Sequence, residues 1–359
     1  MKKLLITILL VSVVSCTPIS ISHPIAAPTA TATAEATTTP MLPLATQTQT
    51  MNSIVQRAYD PAEWMQLYDK DMVWKVALDP EQKMWIWLGS GEIGFFNGNN
   101  WTLFSKQDYG LQDTPYDMAI GPDGAVWVSG RQAISRYQKG HWVAFGIPDA
   151  SETAFPRLAI DPSGVVWLAM PGCYCGNSIR KFDGINWDSL WTYVDGQGEA
   201  SQILFTPDGT LWAALEFPGS IGRYDGKTWK FYSDLWLEGP NSGIRIASDS
   251  MSNIFGIAAG REWIVRISKD GSISRIPFDY TDLELNEFLL SLFIDKQGTI
   301  WVNAELKNTR NASLAYYKNN QWVAFTNLPF DTVTDFNELP DGTLLVATSR
   351  GLYQFKSAR

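Results

Sequence analysis

A stretch reading Pro122-Asp123-Gly124-Ala125-Val126-Trp127-Val128 returns, with variation, about every 43 residues from Val73 to the C-terminus. A period in this range restricts a chain to repeat architectures, in which no unit buries its apolar face alone and each must pack on its neighbours. With Trp127 as anchor, the matching positions are Trp85, Trp167, Trp212, Phe255, Trp301 and Leu345, spaced 40 to 46 residues apart. Three residues before each anchor stands a turn residue: Gln82, Gly124, Gly164, Gly209, Ser252, Gly298 and Gly342. Pro-Asp-Gly and Pro-Ser-Gly at these points are turn chemistry, since Pro presets φ and Gly accepts positive φ.

Each copy divides into four short segments of strand character, which in the second copy are residues 116–120, 125–129, 133–137 and 142–145. The fourth segment carries a Trp-x-x-aromatic mark at Trp101, Trp142, Trp229 and Trp322; the third copy varies it at 187–191 and the fifth degrades it at 273–278. No long amphipathic helical pattern interrupts the series. Evenly spaced four-stranded units of this length predict an all-β fold, a β-propeller. The last copy supplies three segments, at 333–337, 343–347 and 351–355, and the missing Trp-x-x-aromatic segment stands ahead of the first copy as Trp64-Met65-Gln66-Leu67-Tyr68. The sequence therefore predicts seven blades over residues 54–359, with an N-terminal strand completing the last blade and leaving no open sheet edge in the ring.

The motifs resemble a known repeat. Asp123-Gly124-Ala125-Val126-Trp127-Val128, Gly351-Leu352-Tyr353-Gln354-Phe355 and Asp225-Gly226-Lys227-Thr228-Trp229 are similar to the two-component-regulator propeller repeat. That resemblance implies a propeller of the kind found in the exported sensory half of histidine kinases. No kinase or DNA-binding segment accompanies it here, so a sensory role would run through a partner. The fold type also resembles that of streptogramin lyases, a family whose catalysis is attributed to His, Glu and a divalent metal near the axis. The two histidines do not fit that scheme: His23 precedes the repeats, and His141 falls on an outer strand.

The N-terminus reads as an address. Met1-Lys2-Lys3 is followed by an apolar run from Leu4 to Val14, shorter than the roughly 20 residues a membrane-spanning helix needs. Val13-Val14-Ser15-Cys16 resembles the lipobox of bacterial lipoproteins, which implies cleavage before Cys16 and lipid on its sulfur; an ordinary signal peptide is the alternative. Residues 1–15 are thus expected to be a signal peptide. Residues 16–53, rich in Thr, Ala and Pro and nearly uncharged, are expected to be a disordered tether. This places the domain outside the cytoplasm, on a cell surface or in a periplasm, held to the membrane through Cys16.

A formal charge of −9 and the lack of any basic stripe disfavour nucleic acid as a partner. The aligned copies expose one further pattern. Seven residues before each turn position stand Lys75, Asp117, Arg157, Gln202, Arg245, Ser291 and Asp335, all polar, and each is followed by an apolar residue: Val76, Met118, Leu158, Ile203, Ile246, Leu292 and Phe336. A polar ring is therefore expected around the axis at one mouth, above an apolar layer. Its alternating charges would either pair across blades or leave Arg157 and Arg245 as donors to a carboxylate or sugar acid; both can hold at once.

The loops on that same face, 170–177, 216–220 and 305–313, bring forward Tyr174, Glu216 and Glu305 as contact residues, with Trp236 in the connection 233–242. Tyr109 and Phe217 are further aromatics off the repeat pattern. The anchor Trp residues are expected to be packing, because they recur at matched positions. Cys173 and Cys175 would form a local disulfide in an oxidising compartment; free thiols are the alternative, and two thiolates make a poor zinc site. The expected function is binding, sensing or scaffolding without catalysis, by a monomer that needs no cofactor or metal. Its partner would be an envelope protein, a glycan or a small ligand. The alternative is a carboxylate-dependent lyase or hydrolase at the mouth, drawing on Asp117, Asp335, Glu216 or Glu305.

Overall fold

The computed structural model describes residues 54–151, 153–172, 179–191, 198–216, 219–233, 235, 243–258, 263–277, 283–285, 291–306 and 314–356. Cys16, Cys173, Tyr174, Cys175, Phe217 and Trp236 lie outside the described residues. Among the described residues no helix is long and apolar enough to cross a membrane.

The turns set the architecture. All seven turn residues adopt positive φ, including the non-glycines Gln82 (65°) and Ser252 (66°). Asp carboxylates hold these turns shut. Asp161 accepts from the backbone N–H groups of Ser163 and Val165 and from the Trp167 indole; Asp295 does the same for Gln297, Thr299 and Trp301. One carboxylate thus fixes both the turn and the anchor that follows it.

The turns join antiparallel sheets of four strands. Blade one comprises Val73–Leu78, Met84–Leu88, Ile93–Phe96 and Trp101–Phe104; blade two comprises Asp117–Ile120, Val126–Ser129, Ala133–Gln138 and His141–Gly146. Blades three, four and five follow the same order, beginning at Arg157–Ile160, Ala200–Phe205 and Arg245–Ser248. Blade six runs Leu292–Ile294, Ile300–Val302, Ala315–Lys318 and Gln321–Thr326. Blade seven takes Val333–Glu338, Leu344–Thr348 and Gly351–Phe355 from the C-terminus and Trp64–Tyr68 from the N-terminus. The molecule is a seven-bladed β-propeller, and its ring closes where Trp64 pairs antiparallel with Phe355.

The core is divided in the same way. Seven apolar clusters occur among the described residues, one at each junction between neighbouring blades. Each contains the anchor of one blade and the residue after the polar ring position of the next: Trp85 with Met118, Trp127 with Leu158, Trp167 with Ile203, Trp212 with Ile246, Trp301 with Phe336 and Leu345 with Val76. At the remaining junction Leu292 packs against the cluster that holds Phe255. The anchor rings are packing residues, as their periodicity requires. A cation from the third strand covers several from the side: Arg136 on Trp127, Arg223 on Trp212 and Arg266 on Phe255, with centroid distances of 5.5, 5.7 and 5.8 Å.

Three features go beyond the sequence pattern. Val55–Ala58 pairs in parallel with Gln321–Thr326, making blade six five-stranded. Leu283–Leu285 pairs with Ala304–Leu306 as a separate ribbon, so Glu305 sits on a strand where a loop was expected. A single helical turn, Lys106–Tyr109, lies between blades one and two.

Candidate functional site

The polar ring forms at the mouth. Lys75, Asp117, Arg157, Gln202, Arg245, Ser291 and Asp335 all line one cavity on the axis, with a volume of about 790 Å³. They stand at or near the starts of the innermost strands, so the cavity opens on the face that carries the inter-blade connections. Of the expected apolar layer, Leu158, Ile203, Ile246 and Leu292 reach the cavity wall as well as the blade junctions.

An innermost strand has no neighbour on its axial edge, so its outward backbone groups need partners. The ring residues supply them. Asp335 accepts from Val76 N–H at 3.1 Å and Asn337 donates to Val76 O at 3.2 Å, tying blade seven to blade one. Asp117 accepts from Leu158 N–H at 2.8 Å, tying blade two to blade three. Gln202 accepts from Ile246 N–H and donates to Ile246 O, tying blade four to blade five. Ser291 donates to Thr334 O at 2.8 Å, tying blade six to blade seven. These four ring residues, with Asn337, therefore have structural work whatever else they do.

The cations of the ring sit on the receiving blades, and they are not treated alike. Lys75 donates to Asp117 at 2.5 Å as an ion pair across blades one and two, as the alternating charges predicted. Arg157 does not complete the alternation with Asp117. It donates to the carbonyl of Tyr116 at 2.8 Å. Arg245 donates to its own neighbour, the carbonyl of Ile244, at 3.0 Å. Neither arginine forms an ion pair among the described residues. Burial, and then the like charge of Arg157, pull the Arg245 guanidinium below its ordinary value, while Glu216 and Asp117 oppose this more weakly. Glu216 thus lies within electrostatic range of the mouth; its backbone N–H is bonded to Glu199 O at 3.0 Å.

The opposite half of the ring holds the negative charge. Burial pushes the Asp335 carboxyl up to about 6, against Lys75 and the backbone donors, which lower it. The mouth is therefore polarised. Blades seven, one and two contain an Asp–Lys–Asp group with two carboxylates to one ammonium, and blades three to five present two guanidinium groups outside any ion pair among the described residues, flanking Gln202.

Sequence reasoning missed the aromatic wall. Trp74, Trp87 and Tyr116 line the cavity. Register shifts precede the ring residue in blades one, four and seven, where Trp74, Ser201 and Thr334 are the extra residues and also line the mouth. A bulge re-aims side chains, and strict alternation hides it. The Tyr116 hydroxyl is held by Arg131, whose guanidinium also lies over the Tyr116 and Phe155 rings. Tyr109, singled out in the sequence as a contact aromatic, is instead buried: its hydroxyl donates to Gly91 O at 2.7 Å, and burial pushes it up to about 12. His141 begins the outer strand of blade two and is exposed, away from the mouth. Among the described residues no group of His, Cys, Asp and Glu is arranged to hold a metal.

Comparisons with known proteins place this geometry among propellers. No protein-family model matches the chain, and no curated protein sequence does. Solved structures do. A streptogramin B lyase superposes with a TM-score of 0.66 at 15% identity, over 82% of this chain and 97% of that one. A catalytically inactive His-to-Ala variant of virginiamycin B lyase from Staphylococcus aureus, solved with quinupristin, superposes with a TM-score of 0.63 at 17% identity, over 82% and 99%. The extracellular domain of a hybrid two-component system protein from B. thetaiotaomicron superposes with a TM-score of 0.63 at 14% identity, over 83% of this chain and 40% of that one. The likeness to lyase-type and two-component-system propellers is one of fold.

Proposed function

We propose that this chain is an extracytoplasmic binding module, anchored by lipid on Cys16, whose axial mouth takes a small anionic ligand between Arg157 and Arg245. One observation carries the reading: two guanidinium groups line the same cavity, repel each other and form no ion pair among the described residues. Each spends one N–H on a backbone carbonyl and keeps the rest of its fork for a ligand oxygen. Apposed like charges in a partly buried site are unfavourable until an anion joins them. Structural likeness to an extracellular domain of a two-component system protein supports a sensory setting, in which the occupied mouth would be read by an envelope partner.

The second reading, a carboxylate-dependent lyase or hydrolase, has Asp335 in its favour. Its carboxyl, at about 6, is suited to proton transfer near neutrality. Asp335 is also committed to the Val76 latch. Among the described residues the mouth lining includes no histidine, whereas the lyase solved with quinupristin is inactive when one of its histidines becomes alanine. Binding without turnover is the better-supported function. Calorimetric titration of the full chain with galacturonate and with propionate, for the wild type and for Arg157→Gln, tests it. Carboxylate binding that the variant loses supports the reading; unchanged binding in the variant, or none in the wild type, overturns it.

A further inference from the structure

The cationic half of the mouth faces a different kind of surface. Trp74 is the bulged residue of the first strand of blade one, between Val73 and Lys75. It lies 6.0 Å from Trp87, ring centre to ring centre, with 33° between the planes, and both rings line the cavity with Tyr116. Trp74 belongs to none of the seven apolar clusters, in contrast to the repeat anchors. It is only partly buried, and its indole N–H donates to no group among the described residues. The Trp87 indole N–H is buried without a partner.

This arrangement is costly unless it is used. A large ring released from the core by a bulge, in a cavity with two cations outside any ion pair among the described residues, leaves apolar area in water and donors unsatisfied. A carboxylate alone would engage the arginines and leave the indoles bare. Sites of this kind combine apolar and aromatic walls with a few convergent polar groups that fix orientation. The pieces complement one another in a ligand that carries a flat or weakly polar ring face beside its negative group.

We propose that the mouth selects a ring-bearing carboxylate, its ring face on Trp74 and its carboxylate on Arg157 and Arg245. This deepens the proposed function and rests on it. Two sources share the chemistry: a hexuronic acid, free or in an oligosaccharide, and an aromatic carboxylic acid. Both bring a carboxylate joined to a six-membered ring, and the aliphatic C–H face of a sugar stacks on an indole much as an aromatic face does. Trp74 is then a specificity residue, and the arginines are the anion anchor.

The test uses the full chain and four probes: galacturonate, phenylacetate, galactose and propionate, titrated by calorimetry. The inference expects galacturonate or phenylacetate to bind at least tenfold more tightly than propionate, and galactose not to bind. Trp74→Ala should remove that preference, while Trp74→Phe should keep most of it. Which ring acid binds more tightly identifies the source, a uronate or an aryl acid. Equal affinity for propionate and both ring acids would overturn the inference and leave the anion site standing. So would a ring preference that survives Trp74→Ala. Absence of binding by any carboxylate would overturn both. Neither substitution enters a core cluster, and circular dichroism of both variants verifies the fold.

Discussion

Gln202 grips Ile246 from both sides: its Oε1 accepts from the Ile246 N–H at 2.9 Å, and its Nε2 donates to the Ile246 carbonyl at 3.0 Å. The amide of one blade thus replaces the missing sheet neighbour of the next. Asp335 and Asn337 do the same at Val76, using two side chains where Gln202 uses one. Gln202→Ala leaves one donor and one acceptor unpaired at the mouth. It should destabilise the domain by about 1–3 kcal/mol in urea unfolding, with an unchanged slope on denaturant. Loss of under half a kcal/mol would mean that water serves as well.

The ring closure should be costly to break. Trp64 is buried and lies against Phe325, Phe330, Tyr353 and Phe355, the last at 4.7 Å between ring centres. Trp64→Ala should cost about 3–5 kcal/mol, and deletion of residues 52–69 should cost more, because it exposes the third strand of blade seven. Equal unfolding midpoints for the intact and shortened chains would contradict this closure.

Asp335 makes stability depend on pH in a defined direction. Its folded-state value of about 6 lies above the ordinary carboxylate value, so the native state binds its proton more tightly than the unfolded state does. Its contribution favours folding below the unfolded value and is lost as pH rises through about 6. Asp335→Asn should therefore flatten the stability profile between about pH 4 and pH 6. At pH 7 it should gain of order 1–2 kcal/mol, because the amide oxygen can still accept from Val76 and no buried charge remains. A variant that loses stability equally at both pH values would show that the Asp335 carboxylate is needed charged.

Arg245 should trade stability for binding. Its guanidinium is half-buried in the mouth it shares with Arg157 and has no ion-pair partner among the described residues. Arg245→Met keeps the side-chain volume and removes the repulsion. The unliganded variant should unfold at an equal or higher midpoint, by about 1 kcal/mol, while carboxylate binding falls. A clear loss of stability would mean that Arg245 is a structural cation.

The fold was legible because its determinants are periodic. Turn residues such as Gly124, anchors such as Trp127 and the ring positions recur at fixed offsets, and each offset answers to one physical need: positive φ, junction packing or an axial edge to satisfy. Even the position of Arg157 followed from counting. What escaped the sequence departs from the period. Trp74 reaches the mouth through a bulge, and alternation alone hides it. Val55–Ala58 joins blade six in parallel and carries no repeat mark. Arg157 was placed correctly, but the sequence left open whether it pairs with Asp117 or stands outside an ion pair, and the structure puts it on the Tyr116 carbonyl. That choice depends on backbone geometry at the strand start, and it leaves the mouth a cation outside any ion pair among the described residues.

The measurement that bears most directly on the central claim is calorimetric titration of galacturonate into the full chain, with the Arg157→Gln/Arg245→Gln double variant alongside. The account predicts one saturable site in the wild type, weakened by added salt. It predicts at least a hundredfold loss of affinity in the double variant, with an unfolding midpoint no lower than that of the wild type. Equal affinity in the two proteins, or a double variant that fails to fold, would contradict it and return the ring to a purely structural role.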